Sequence, residues 1–95
     1  MKKYQVMLKG CNFRIELEGV VQRLGFYTTR WVEANNPEEA EMQAVALVKN
    51  DGDLRVAVRN KPEDLPTIHL DEIIEVADFE NIQVPGAGYS FYVEE

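Results

Sequence analysis

Cysteine, histidine and tryptophan each occur once in this 95-residue chain, as Cys11, His69 and Trp31. A single cysteine excludes an internal disulfide and a cysteine-built zinc site. Nucleophilic catalysis needs a nucleophile, a base within hydrogen-bond reach and a group that orients the base. No sequence pattern ties Cys11 to His69, so the two read as bystanders. No apolar run reaches the ~20 residues that a spanning helix requires, and MKKYQVMLKG sets two lysines before an alternating segment, not an apolar leader. The expectation is a cytoplasmic protein with no membrane partner. The PGAGY stretch at 85–89 lacks the third glycine and the following helix of a dinucleotide fingerprint, and the Lys-Ser/Thr of a phosphate loop. No cofactor is expected.

Basic residues are missing from the whole second part of the chain. Residues 1–61 hold all ten Lys and Arg against eight acids, a net of +2, whereas residues 62–95 hold nine acids and no base. The overall charge is therefore -7. An acidic half repels phosphate backbones, and the weakly basic half cannot supply the counterion release on which nonspecific nucleic-acid affinity rests. Nucleic acid is excluded as a partner, while a basic protein remains compatible with the charge.

What the chain does have is alternation. Ninety-five residues with 45% hydrophobic content suit one compact domain spanning 1–95. Tyr4, Val6 and Leu8 form one period-two set and Phe13, Ile15 and Leu17 another, which predicts two half-buried strands joined by a turn at KGCN. GVVQRLG reads as a connection, and FYTTRWVEA at 26–34 as a third strand rich in β-branched and aromatic types. A helix is predicted over 37–50. Asn36 serves as its cap, Pro37 takes the first position, Glu39 is placed for a capping box, and Glu38, Glu39 and Glu41 complement the helix dipole. Ala40, Ala44, Leu47 and Val48 supply the buried stripe.

Beyond the helix, Leu54, Val56 and Val58 alternate like a strand, although 54–59 also suits a further helical turn. KPEDLP is a loop because of its two prolines. TIHLDEIIEVADF predicts a long strand whose phase shifts between Leu70 and Ile73, as at a bulge. ENIQVPGAG is a second loop, and YSFYVEE a last strand with Tyr89, Phe91 and Val93 on one side. The expected fold is α+β: an antiparallel sheet of five or six strands with one principal helix packed on one face, in the order β-β-β-α-β-β.

Two constellations bear on function. In the third strand Tyr27 and Trp31 point away from the side that carries Val32 and Ala34. With Met7 and Tyr92 they make an aromatic face that a single-layer sheet leaves open, the kind of surface on which association anchors occur. Tyr27, Trp31, Met7 and Tyr92 are thus the candidate interface. The other constellation is His69, Asp71 and Glu72, of which His69 and Asp71 share a face of a regular strand and suit a divalent metal or a small ligand.

The stretch VEANNPEEAEMQAVALV at 32–48, with the preceding hairpin, resembles the strand-turn-helix junction of HicB-type antitoxins. That resemblance implies a small dimeric module that binds a basic, toxin-like protein. The chain departs from the family in its long aromatic strand GFYTTRWVEA, and it has no room for the family's C-terminal DNA-binding helices. The expected function is a non-enzymatic interaction module forming a homodimer; the alternative is a small-ligand or metal-dependent enzyme using His69, Asp71 and Glu72.

Overall fold

The computed structural model describes residues 1–94. Two long strands, β1 (Lys2–Leu17) and β2 (Val20–Ala34), form an antiparallel hairpin. Two helices follow, α1 (Pro37–Lys49) and α2 (Gly52–Ala57), and then β3 (Thr67–Val76) and β4 (Ser90–Val93). The four strands make one sheet in the order β3-β1-β2-β4, antiparallel at every pairing. The fold is α+β as expected, but with four strands and two helices in place of five or six strands and one helix.

The difference has two causes. The phase change between Leu8 and Phe13 is a β-bulge inside one strand, not the turn expected at KGCN. Gly10 pairs with Phe26 and Phe13 with Leu24, so β1 uses one residue more than β2. Asn12 takes the left-handed conformation there, at φ 59, which asparagine tolerates better than most side chains. The actual turn is the pair Glu18 and Gly19, with φ of 51 and 82. Positive φ at both central residues fits the right-handed twist of a two-residue hairpin. Thus the expected connection GVVQRLG is the start of β2.

The second cause lies at 54–59, of which 54–57 belong to helix α2 and no part forms a strand of the sheet. Asp51 caps it by accepting from the amides of Asp53 (3.0 Å) and Leu54 (3.4 Å). Leu54 is buried and Val56 exposed, so the apolar alternation does not follow burial. Val58, just past the helix, makes an isolated bridge to Ile15, and the next strand begins at Thr67.

The core lies between the sheet and the helices. Tyr4, Val6, Leu8, Phe13, Ile15, Leu24, Phe26, Val32 and Ala34 face inward from the hairpin. Ala40, Ala44 and Val48 come down on them from α1, and the two alanines allow the helix axis close to the sheet. Leu47, expected in that stripe, is exposed. Asn36 caps α1 as expected, accepting from Glu39 N at 2.8 Å. The Glu39 carboxylate itself accepts from Asn35 Nδ2 and Gln43 Nε2.

Two glycines are defined by rings lying across them. Gly10 faces its cross-strand partner Phe26, and Gly25 faces Tyr92 on the other side of the sheet. A methyl at Gly10 would lie 2.3 Å from the Phe26 ring, which is fully buried and cannot yield. Gly10→Ala is expected to cost about 1–3 kcal/mol by overpacking. Gly52→Ala, at the first position of α2 with nothing near it, is expected to gain about 0.4–1 kcal/mol. Urea denaturation of the two variants checks both signs, and equal midpoints would contradict this packing.

Candidate functional site

Period-two geometry sorts the strands into a helix side and an outer side. Lys3, Gln5, Met7 and Lys9 of β1 face outward, opposite Glu33, Trp31, Thr29 and Tyr27 of β2. On one flank β3 adds His69, Glu72 and Ile74, opposite Lys9, Met7 and Gln5. On the other, β4 adds Ser90 and Tyr92, opposite Tyr27 and Gly25. All four candidate interface residues, Tyr27, Trp31, Met7 and Tyr92, therefore share one face. Tyr27 and Tyr92 stack at 5.7 Å between centroids, and Lys9 Nζ lies 5.7 Å over the Tyr27 ring. Lys9 is held more firmly protonated than an ordinary lysine, chiefly through its charge interaction with Tyr27.

This face is not wholly bare. The chain between β3 and β4 must cross from one sheet edge to the other, and it does so at the Lys3–Trp31 end. Lys3 Nζ lies 6.0 Å from the Phe79 ring centroid. Trp31 N donates to Pro85 O at 3.0 Å, and Gly86 sits against the indole. Trp31 Nε1 donates to Gln5 Oε1 at 3.2 Å. The indole, expected to stand open, is half-buried, whereas Tyr27 keeps 42% of its surface and Ile74 the same fraction. A shallow depression remains, lined by Met7, Tyr27, Thr29, Trp31 and the 87–90 segment.

Charges on the outer side are matched. Lys3 pairs with Glu33 at 3.5 Å and Arg23 with Glu94 at 3.8 Å. Lys9 covers Tyr27 and faces His69 of β3, while Glu72 faces the neighbouring Met7. At the outward strand positions and Glu94, the described residues place four cations, Lys3, Lys9, Arg14 and Arg23, against four carboxylates, Glu16, Glu33, Glu72 and Glu94, within a chain of net charge -7.

The His69, Asp71 and Glu72 set does not converge. Met7 pairs with Glu72 and Leu8 with Leu70, which leaves Asp71 as the bulged residue in the span where a phase shift was expected. The bulge takes Asp71 out of the alternation that would have set it beside His69. His69 Nε2 is bonded to Thr67 Oγ1 at 2.9 Å. Among the described residues no group of three His, Cys, Asp or Glu side chains is close enough to hold a metal ion. Thr67 is also the cross-strand partner of Cys11, yet no hydrogen bond joins Cys11 to His69 among the described residues.

Sequence reasoning missed a polar cluster on the helix side. Arg30 is 3% exposed. Its Nη1 donates to Thr28 Oγ1 and to Thr29 O (2.9 Å), and its guanidinium lies 5.1 Å from the Tyr89 ring centroid. Tyr89 Oη donates to Asp51 Oδ2 at 2.7 Å, while Asp51 Oδ1 caps α2. One line of contacts thus runs from β2 through the last segment to the helix junction. Thr28 Oγ1 donates to Gly88 O at 2.5 Å, which closes it. The Tyr89 hydrogen bond holds the Asp51 carboxyl below its ordinary value, helped by the amides of α2 and by Arg30. Burial pushes the Tyr89 phenol up, and Asp51 adds to that rise. Arg30 and Thr28 in an apolar alternation were the available signal, since a charged residue on the buried side of a strand requires partners.

Compared with protein-family models, with curated proteins and with solved structures, the chain gives no match.

Because the Asp51 carboxyl has a lowered folded value, its contribution to stability is complete above the ordinary carboxylate range near pH 4. It is lost as pH falls through the lower, folded value. Asp51→Ala is expected to destabilise the protein by about 1–2 kcal/mol at pH 7, through the lost cap and the unpaired Tyr89 hydroxyl. Urea titrations at several pH values check this: the gap between variant and parent should shrink as pH is lowered from about 5 towards 2. A gap independent of pH would contradict the assignment.

Proposed function

We propose that the chain is a non-enzymatic interaction module that pairs with a second copy of itself through the outer side of its sheet. The observation that carries this reading is the charge balance of that side. Two copies of a chain at -7 repel one another in general, but least where cations and carboxylates are equal in number. A two-fold pairing sets the same patch against itself, so the strand positions of the two faces meet without an excess of either sign. Tyr27, Met7 and Ile74 supply apolar and aromatic area at the centre, with the charged residues around them.

The sheet edges are poorer routes to association. β4 is four residues long. β3 carries Asp71, Glu72 and Glu75 and is bent by its bulge. Short edges, bulges and charge are the devices by which strands resist edge pairing. An enzymatic reading using His69, Asp71 and Glu72 lacks support because the three do not gather.

Light scattering coupled to size exclusion is expected to find twice the 10.9 kDa chain mass. Tyr27→Asp, at an exposed position, should keep the circular dichroism of the parent and run as a monomer. A parent of single-chain mass across the micromolar range, or a variant that stays dimeric, would contradict the proposal.

A further inference from the structure

Away from the outer side, α2 separates two apolar clefts whose rims differ in sign. One opens towards the hairpin tip and Phe91, has a volume of about 330 Å³, and carries Asp51 and Asp53. The other lies between α1, α2 and the start of β3, with a volume of about 570 Å³. Its apolar lining includes the half-buried Val45, Val58 and Ile68 over the buried Val48 and Leu54; Thr67 and His69 also border it, and its charged residues are Lys49 and Arg55, with no acid among the described residues that line it. Such a volume, an apolar wall and a few polar groups at the mouth are the features of a small-molecule site.

The two cations are not engaged elsewhere. The ion pairs among the described residues involve Lys2, Lys3, Arg14, Arg23 and Arg59, and neither Lys49 nor Arg55 takes part. Both are exposed, in the last turns of α1 and α2. Favourable interaction with the negative helix ends accounts for a base at each place. It does not account for both bases opening onto one apolar cleft, free of carboxylates, in a chain with seventeen acids.

We infer that this cleft binds a small anionic amphiphile, a carboxylate head on an apolar chain, with the head between Lys49 and Arg55 and the chain along Val45, Val58 and Ile68. The apolar body displaces water from the wall, and the head selects by charge: the same body with a positive head meets two like charges. The site shares His69 with the outer side of the sheet but none of Tyr27, Met7 and Ile74, so it stands whether or not the chain pairs with itself.

Amide chemical-shift titration of the parent protein with decanoate, below its micelle concentration, tests the inference. Saturable shifts are expected at Val45, Val58 and Ile68, with decyltrimethylammonium producing none there. The double variant Lys49→Gln/Arg55→Gln, at two exposed positions, should bind decanoate at least tenfold more weakly and keep the parent's spectrum elsewhere. Absence of saturation by decanoate, equal binding of the two head groups, unaltered affinity in the double variant, or shifts centred on Tyr27 would each overturn it.

Discussion

The extra residue in β1 is the constraint on which the rest of the molecule depends. Side chains alternate across a strand, so an unbroken β1 with Tyr4, Val6 and Leu8 inward would turn Phe13 and Ile15 outward. The bulge at Cys11 and Asn12 restores the phase, and both halves of the strand then bury their apolar residues under the helices. Two distant segments hold it. Asn12 N donates to Glu94 Oε1 (2.8 Å), its Nδ2 donates to Asp64 Oδ1 (2.9 Å), and its carbonyl accepts from Asn60 Nδ2 (2.8 Å). Arg14 and Asn12 together keep the Asp64 carboxyl below its ordinary value. A left-handed asparagine costs conformational energy, and these bonds offset that cost.

From this phase correction follows the division of labour between the two sides of the sheet. Phe13 reaches the Phe26 ring at 4.8 Å, and Phe26 in turn meets Tyr89 edge-on at 5.1 Å. Tyr89 carries the last segment to Arg30 and Asp51, and so to the start of α2. Arg30, the one buried cation among the described residues, is thereby satisfied on the helix side. The outer side receives what the alternation leaves over: Met7, Tyr27, Trp31, Tyr92 and a balanced set of charges. The makeup of this side is a consequence of where the apolar residues went, not of a separately built patch.

Much of this was legible in the residues, and the failures have definite reasons. The start of α1 was readable because Asn36 and Pro37 act through local backbone chemistry. The shift in β3 and the common side of Tyr27, Trp31, Met7 and Tyr92 were readable because period two admits few alternatives. The hairpin turn was misplaced because a turn and a bulge change the phase of alternation identically, and Glu18-Gly19 lacks the Asn or Asp that usually marks such a turn. Helix α2 was open to either reading because six residues are too short for periodicity to decide. The Arg30, Tyr89 and Asp51 cluster was hidden because its members are separated in sequence and meet only when the last segment crosses the sheet. That same crossing covers part of Trp31, which no local pattern foretells.

The most direct test of the account is the cross-strand register around Asn12, measured by nuclear Overhauser contacts between backbone protons of β1 and β2. The account predicts contacts of Gly10 with Phe26 and of Phe13 with Leu24, and a ring-current shift of the Gly10 α-protons from Phe26. Contacts of Gly10 with Phe26 accompanied by contacts of Phe13 with Arg23, the pairing of a strand without its extra residue, would contradict it.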